Sequence, residues 1–470
     1  MKLPKTSRRR FLQASGIGAL NLAVPGLVIG KDKLDASGKA VASKKCCIFV
    51  LLCGGPSHLD TWDLKPHAVS EIRGPYKPIR SKVPGMQLSE LHPMLSKVTD
   101  QFCLIRSMSH PAPIANHFDA MHNLLSGQIV ERVVEGESDG LPYIGSVVAK
   151  LLPSDRNLVS NAWLIKCVGP PVFCAPNIGT GGYLGSAYAP VFIGSADNHP
   201  AMPNFKPPEI YDMGDPERLW ERRKLLRAME SDRLAKNPLA KDWGELREMA
   251  YDAMTRPQGR QAFELNREPV KVRERYGMHP LGQNLLLARR MVEAGVRFVT
   301  VNGWVGPSPD AKEGGGPPSS SWDMHGGHMG MGNAFGSGSY GMNFCLPRLD
   351  QGLSALLEDL KDRGMLDDTL VVAVGEFGRS PIIQTKGPPG RVHWPQCFSA
   401  IMAGCGVRGG AIYGESDKTA SAPKSNPVTP QDLHATALHA LGVPLDELSR
   451  NTGINRPVFS TGKPVMGLFG

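Results

Sequence analysis

The chain has 470 residues, 41% of them apolar and 21% charged, enough to bury one large core with insertions or two domains. Its formal net charge of +9 is contributed in part by the basic residues before residue 11, and no basic run interleaved with aromatics follows. That pattern argues against nucleic acid as a partner. The nine cysteines include no pair at zinc-ribbon spacing and lie mostly in apolar runs, which makes them buried small hydrophobes.

The first element is an address. Ser7-Arg8-Arg9-Arg10-Phe11-Leu12, with Lys2 and Lys5, is a twin-arginine pattern, and Ala40-Val41-Ala42 resembles a small-residue cleavage site. The apolar stretch between them, Ile17 to Ile29, is broken by Asn21 and Pro25 and falls short of the roughly 18 residues that cross a bilayer. Residues 1–42 are therefore expected to be a cleaved signal read by the twin-arginine export machinery, with a short membrane anchor as the plainer alternative. Residues 43–470 are expected to work in the periplasm or outside the cell, without an integral membrane span.

Four apolar runs follow. Cys46 to Cys53 stops at Gly54-Gly55-Pro56, as a strand buried on both faces does. Val296 to Val301 comes after the amphipathic segment Gly282 to Ala294. Thr369 to Val374 comes after Leu349 to Arg363, where Leu353, Leu356, Leu357 and Leu360 recur at helical spacing. Ser399 to Ala403 ends at Gly404. Helix followed by strand, repeated, predicts an α/β fold: a mostly parallel central sheet with helices on both faces. Asp215 to Glu274, dense in Arg, Lys and Glu, predicts two or three solvated helices, so residues 205–280 are expected to form a mostly helical cap insertion. Gly306 to Pro318 and Gly326 to Gly341 are Gly-rich loops.

Polar residues gather just after the predicted strands. The first run leads into Ser57-His58-Leu59-Asp60-Thr61-Trp62-Asp63. The second leads, across a Gly-rich loop, to Trp322-Asp323-Met324-His325-Gly326-Gly327-His328. The third leads to Glu376-Phe377-Gly378-Arg379 and then His393. Each has a bland reading alone: Asp63 as a helix cap, a loop histidine as surface polarity, Arg379 as a salt bridge within its own loop. Together, carboxylates and imidazoles converging from separate strand ends suit a divalent cation such as zinc, manganese or iron.

These motifs, with Gly54 to Asp63, Leu366 to Val372 and Thr429-Pro430-Gln431-Asp432-Leu433-His434-Ala435-Thr436, resemble an exported bacterial family called domain of unknown function 1501. It is a sulfatase-like member of the alkaline-phosphatase superfamily, and the resemblance runs from about Cys46 to the C-terminus. It implies the alkaline-phosphatase-like three-layer fold. It also implies a metal set of Asp60, Asp323, His325, Glu376 and His393 for one or two cations, with Glu376-Phe377 standing where the superfamily usually has Asp-His.

The segment His117 to Gly127 matches the nucleophile segment, but His117 takes the place of the usual Cys or Ser. Histidine can attack a phosphoryl group or bind a metal, and it cannot become a formylglycine. Ser107 and Ser109 are alternative hydroxyls. The resemblance therefore implies a metal-dependent hydrolase of phosphate or sulfate esters, phosphate favoured. His117 would be its catalytic group and Arg379 would pair with the anionic substrate. The rival expectation is a binding or scaffold protein that kept the fold and lost turnover.

Overall fold

The computed structural model describes residues 44–114, 116–129, 140–154, 159–165, 180–207, 216–234, 261–307, 321–338, 340–443, 445 and 460–470. The expected export signal, residues 1–42, lies outside the described residues. Eight strands make the central sheet: β1 (Cys46–Leu51), β2 (Cys103–Met108), β3 (Asn161–Leu164), β4 (Val191–Ile193), β5 (Phe298–Asn302), β6 (Thr369–Val374), β7 (Phe398–Ala403) and β8 (Ile412–Tyr413). Their order is β8-β2-β7-β6-β1-β5-β3-β4.

β1 lies at the centre, parallel to β5 with Leu51 opposite Asn302 and parallel to β6 with Leu51 opposite Val374. All three apolar runs thus end at one edge of the sheet, where sites form in open α/β folds. The fourth run is the exception to the parallel expectation: β7 is antiparallel to both β6 and β2. One reversed strand still leaves the sheet mostly parallel, as expected.

Alternation along the strands divides the core. Cys46, Ile48 and Val50 pack with Leu285 and Leu286 of α5 (Pro280–Ala294) and with Leu349, Leu353 and Leu356 of α6 (Met342–Asp362). Cys47, Phe49 and Leu51 face the other side. There they meet α1 (His117–Ser126), α2 (Ile144–Leu151) and α7 (Pro430–Ala440) through Leu124, Val147 and Leu438. These aliphatic side chains are essentially fully buried, and each contributes roughly 1.5–3 kcal/mol relative to exposure.

Of the expected helical insertion, the described α-helices are α3 (Pro216–Leu234) and α4 (Val270–Tyr276). α4 is tied to α6 by the Tyr276 hydroxyl, which donates to Asp359 at 2.8 Å. Among the described residues, the cysteines Cys46, Cys47, Cys53, Cys103, Cys345, Cys397 and Cys405 are buried thiols. Desolvation raises the pKa of each, as for Cys46, pushed up to about 11, where a hydrogen bond from Thr369 only partly offsets the burial. No helix among the described residues is long and apolar enough to cross a membrane.

Candidate metal centre

The loop after β1 turns through Gly54 (φ +110°) and Gly55 (φ +66°). A Cβ on Gly54 would sit 2.4 Å from the Asp323 nitrogen, so only glycine lets this turn close against the 322–325 loop. The Gly54 amide then donates to the Glu376 carboxylate at 2.9 Å, joining the loops that follow β1 and β6. Glu376 is fully buried. Its backbone carbonyl accepts from the His110 ring at 2.6 Å if Nε2 carries the proton.

His117 opens α1. Asn116 caps that helix, its side chain accepting from the Asp119 amide at 2.9 Å. His117 Nδ1 lies 2.5 Å from Glu376 Oε1, and His325 Nδ1 lies 2.5 Å from Asp323 Oδ1. An ionised carboxylate can only accept. In each pair, therefore, Nδ1–H donates, and the Nε2 lone pair is turned away from the carboxylate. This is how outer carboxylates orient metal-binding imidazoles.

His393, on a two-residue strand (His393–Trp394) paired antiparallel with Gly378–Arg379, completes the group. Its Nε2 is 2.9 Å from His117 Nε2. One ring nitrogen from each of His117, His325 and His393 lies within 4.8 Å of the other two. The Asp323 Oδ2 atom is 3.4 Å from His117 Nε2 and faces the same centre. Phe377 packs against His117 and His393, with ring centroids at 4.8 and 4.5 Å. Where the resemblance led one to look for a lost imidazole, an aromatic ring steadies two others.

Charge supports this arrangement. Burial works against an ionised Asp323, but the Arg379 guanidinium, then His117 and His325, hold its carboxyl well below the usual range. Burial lowers the His325 pKa; Asp323 opposes this and Arg379 adds to it, leaving a neutral imidazole near pH 7. At His117 burial is outweighed by Asp323 and Glu376, and the pKa is raised. A cation placed there would therefore compete with a proton for that nitrogen. Three imidazoles with no thiolate fit zinc, manganese or iron, and three protein ligands leave coordination open, as in catalytic sites.

The expected residues are thus sorted anew. Asp323, His325, Glu376 and His393 come together, and His117 joins them as a donor of the same set. Glu376 is an orienting carboxylate for His117. Asp60 is not brought there: in the turn His58–Thr61, its carboxylate accepts from Arg391 Nε at 2.7 Å and Nη2 at 3.3 Å, both side chains fully buried. Gly74 closes on the same carboxylate, so Asp60 serves a structural ion pair.

Arg379 also departs from its expected role. It has no exposed surface. Nε donates to Gly55 O at 2.9 Å, Nη1 to Arg391 O at 3.1 Å, and Nη2 to Asp323 Oδ1 at 2.9 Å and to Gly54 O. With its donors already engaged inside the protein, it is a positioning residue for three loops. Asp63 is no cap but an ion-pair partner of Lys65 at 3.0 Å and Arg106 at 3.6 Å. Ser107 donates to Asn426 O at 2.6 Å, and Ser109 to His110 O at 3.4 Å; neither lines the pocket.

The centre lies at the base of a cavity of about 810 Å³. Sequence reasoning missed most of its wall, including Ile114, Phe118, Met121, Met329, Met331, Tyr340 and Trp394. Among the described lining residues Tyr340 carries the one hydroxyl, and there is no Lys or Arg. None of the described residues of 205–280 lines it.

Residues 44–469 match the family described as a protein of unknown function, DUF1501. The chain belongs to this family. No curated protein matches it in sequence. Among solved structures, it is similar to the lipoteichoic acid synthase LtaP from Listeria monocytogenes at 11% identity and a TM-score of 0.35, covering 88% of this chain and 77% of that one. The PsFucS1 sulfatase from Pseudoalteromonas sp. is similar at 13% identity and a TM-score of 0.37, covering 89% and 73%. The alkaline phosphatase from the Antarctic bacterium TAB5 is similar at 10% identity and a TM-score of 0.37, covering 86% and 100%.

Proposed function

We propose that this DUF1501 chain is an exported hydrolase of phosphate esters that works with a divalent cation held by His117, His325 and His393. The observation that carries the reading is the convergence of three imidazole nitrogens within 4.8 Å at the base of a cavity. When bound there, such a cation supplies Lewis acidity toward an ester oxygen and toward water. Glu376 and Asp323 keep the ring protons of His117 and His325 on Nδ1, so their Nε2 lone pairs stay available. Asp323 Oδ2 can accept a hydrogen bond from a water entering beside His117 and so orient it. Phe377 packs against the rings of His117 and His393 and limits their movement. Phosphate is favoured over sulfate because His117 stands where a formylglycine precursor would be needed.

Purified full-length protein supplied with zinc, manganese or iron is expected to hydrolyse phosphate esters. His117→Ala and Glu376→Gln should each lower kcat/KM by at least about a hundredfold, the usual contribution of such groups. Turnover untouched by either substitution would refute the site. Tyr340 as the one hydroxyl among the described lining residues, with no Lys or Arg among them, favours a second reading, a binding protein without turnover. Cation binding with no hydrolysis of any ester would establish it.

Export through the twin-arginine route rests on Arg8 and Arg9. Changing both to Lys should strand the precursor in the cytoplasm, seen by fractionation and blotting. Normal export of that variant would defeat the assignment.

A further inference from the structure

The wall above the centre differs in chemistry from its base. Its described residues come from three stretches of chain: Pro113, Ile114, Asn116 to Phe118 and Met121; His328, Met329, Met331 and Tyr340; and Val392 to Gln396. They present Ile114, Phe118 and Met121 from the first, Met329 and Met331 from the second, and Trp394 from the third. Two of the polar side chains among them are committed within the protein. Asn116 is engaged with Asp119 through both ends of its amide, at 2.8 and 2.9 Å. The Trp394 indole donates to Ser421 O at 2.7 Å. Gln396 and His328 are exposed at the rim. A polyhydroxylated group placed against this wall would lose its water and find few partners, a net cost for each hydroxyl. A second anionic group would meet no Lys or Arg among the described lining residues.

We infer that the substrate is a phosphate ester of a hydrophobic alcohol, with its one anionic group at the histidine cluster and its alkyl or aryl part against the wall of Phe118, Met121, Met329 and Met331. This rests on the hydrolase reading and adds to it the class of alcohol. The cavity, at about 810 Å³, is of the size that encloses a small organic ligand. Methionine side chains are flexible and polarisable, so they fit chains of varied shape.

The test uses ethyl, butyl and hexyl phosphate, whose leaving alcohols are chemically alike, with zinc-loaded full-length protein. kcat/KM should rise with length, by up to about fourfold per buried methylene. Within each of Phe118→Ser and Met331→Ser, the ratio of kcat/KM on hexyl phosphate to that on ethyl phosphate should fall toward one, flattening that rise. In parallel, calorimetry with ethyl-, butyl- and hexylphosphonate, which have no ester to cleave, should show the same ordering of affinity.

Equal rates along the series, or better turnover of glucose 6-phosphate than of hexyl phosphate, overturns the inference and leaves the hydrolase reading standing. Length-dependent phosphonate binding without turnover of any ester keeps the apolar site and sinks the hydrolase reading. Neither turnover nor length-dependent binding sinks both.

Discussion

Protein purified in full length and dialysed from excess zinc is expected to retain one equivalent of metal, and the doubly substituted His325→Ala, His393→Ala protein to retain almost none. The expectation follows from the geometry of two opposed Nε2 atoms, His393 and His117, at 2.9 Å. Two neutral imidazoles facing one another can share a single proton, and a cation serves both lone pairs at once. Loss of an outer partner of a metal ligand commonly weakens affinity by about 10–100-fold, and loss of two ligands should exceed that. At a free zinc concentration 100 times Kd, binding stabilises the native state by about 2.7 kcal/mol, so zinc should raise the melting temperature of the parent protein and leave the double variant unmoved. The control is His328→Ala. His328 is exposed, with its ring 6.2 Å from that of His325, and lies outside the three-histidine set. It should keep full stoichiometry. Well-folded parent protein that takes up neither zinc, manganese nor iron would overturn the centre.

What was legible in the sequence follows from burial. β1 and β6 are runs of six residues with both faces covered, so their composition alone marks them. β2 carries Arg106 and Ser107 within its run, and β3, β4 and β8 have four residues or fewer, too short for a period to register. The direction of β7 was not legible, because a short, mostly apolar run reads the same whichever way the chain traverses the sheet. At the site, Asp323, His325, Glu376 and His393 were found because each follows a strand end or its loop. Asp60 follows one too, but its partner Arg391 is 331 residues away in sequence, and nothing local distinguishes a paired carboxylate from a ligating one. The Met and aromatic wall comes from loops without periodicity, which no pattern marks as a cavity.

Arg379→Met is expected to destabilise the protein by about 3–5 kcal/mol and to abolish zinc retention, because it leaves the Asp323 charge buried without its cation. Arg379 has no exposed surface, and its guanidinium meets Asp323 Oδ1 from the protein interior at 2.9 Å. The loss is larger than one ion pair. The same side chain holds the carbonyls of Gly54, Gly55 and Arg391, and with them the loops that carry Glu376's amide donor and the strand of His393. Lysine should not rescue it. An ammonium has three donors on a flexible stem and cannot reproduce the planar fork that reaches three carbonyls and a carboxylate at once. The measurement is a urea denaturation midpoint for Arg379→Met and Arg379→Lys beside a zinc titration of each. An unfolding free energy within about 1 kcal/mol of the parent's would mean that Asp323 is not held ionised by Arg379, and the electrostatic account of the centre would fail with it. Loss of stability with zinc affinity intact would instead separate the two roles, leaving the imidazoles oriented by their carboxylates alone.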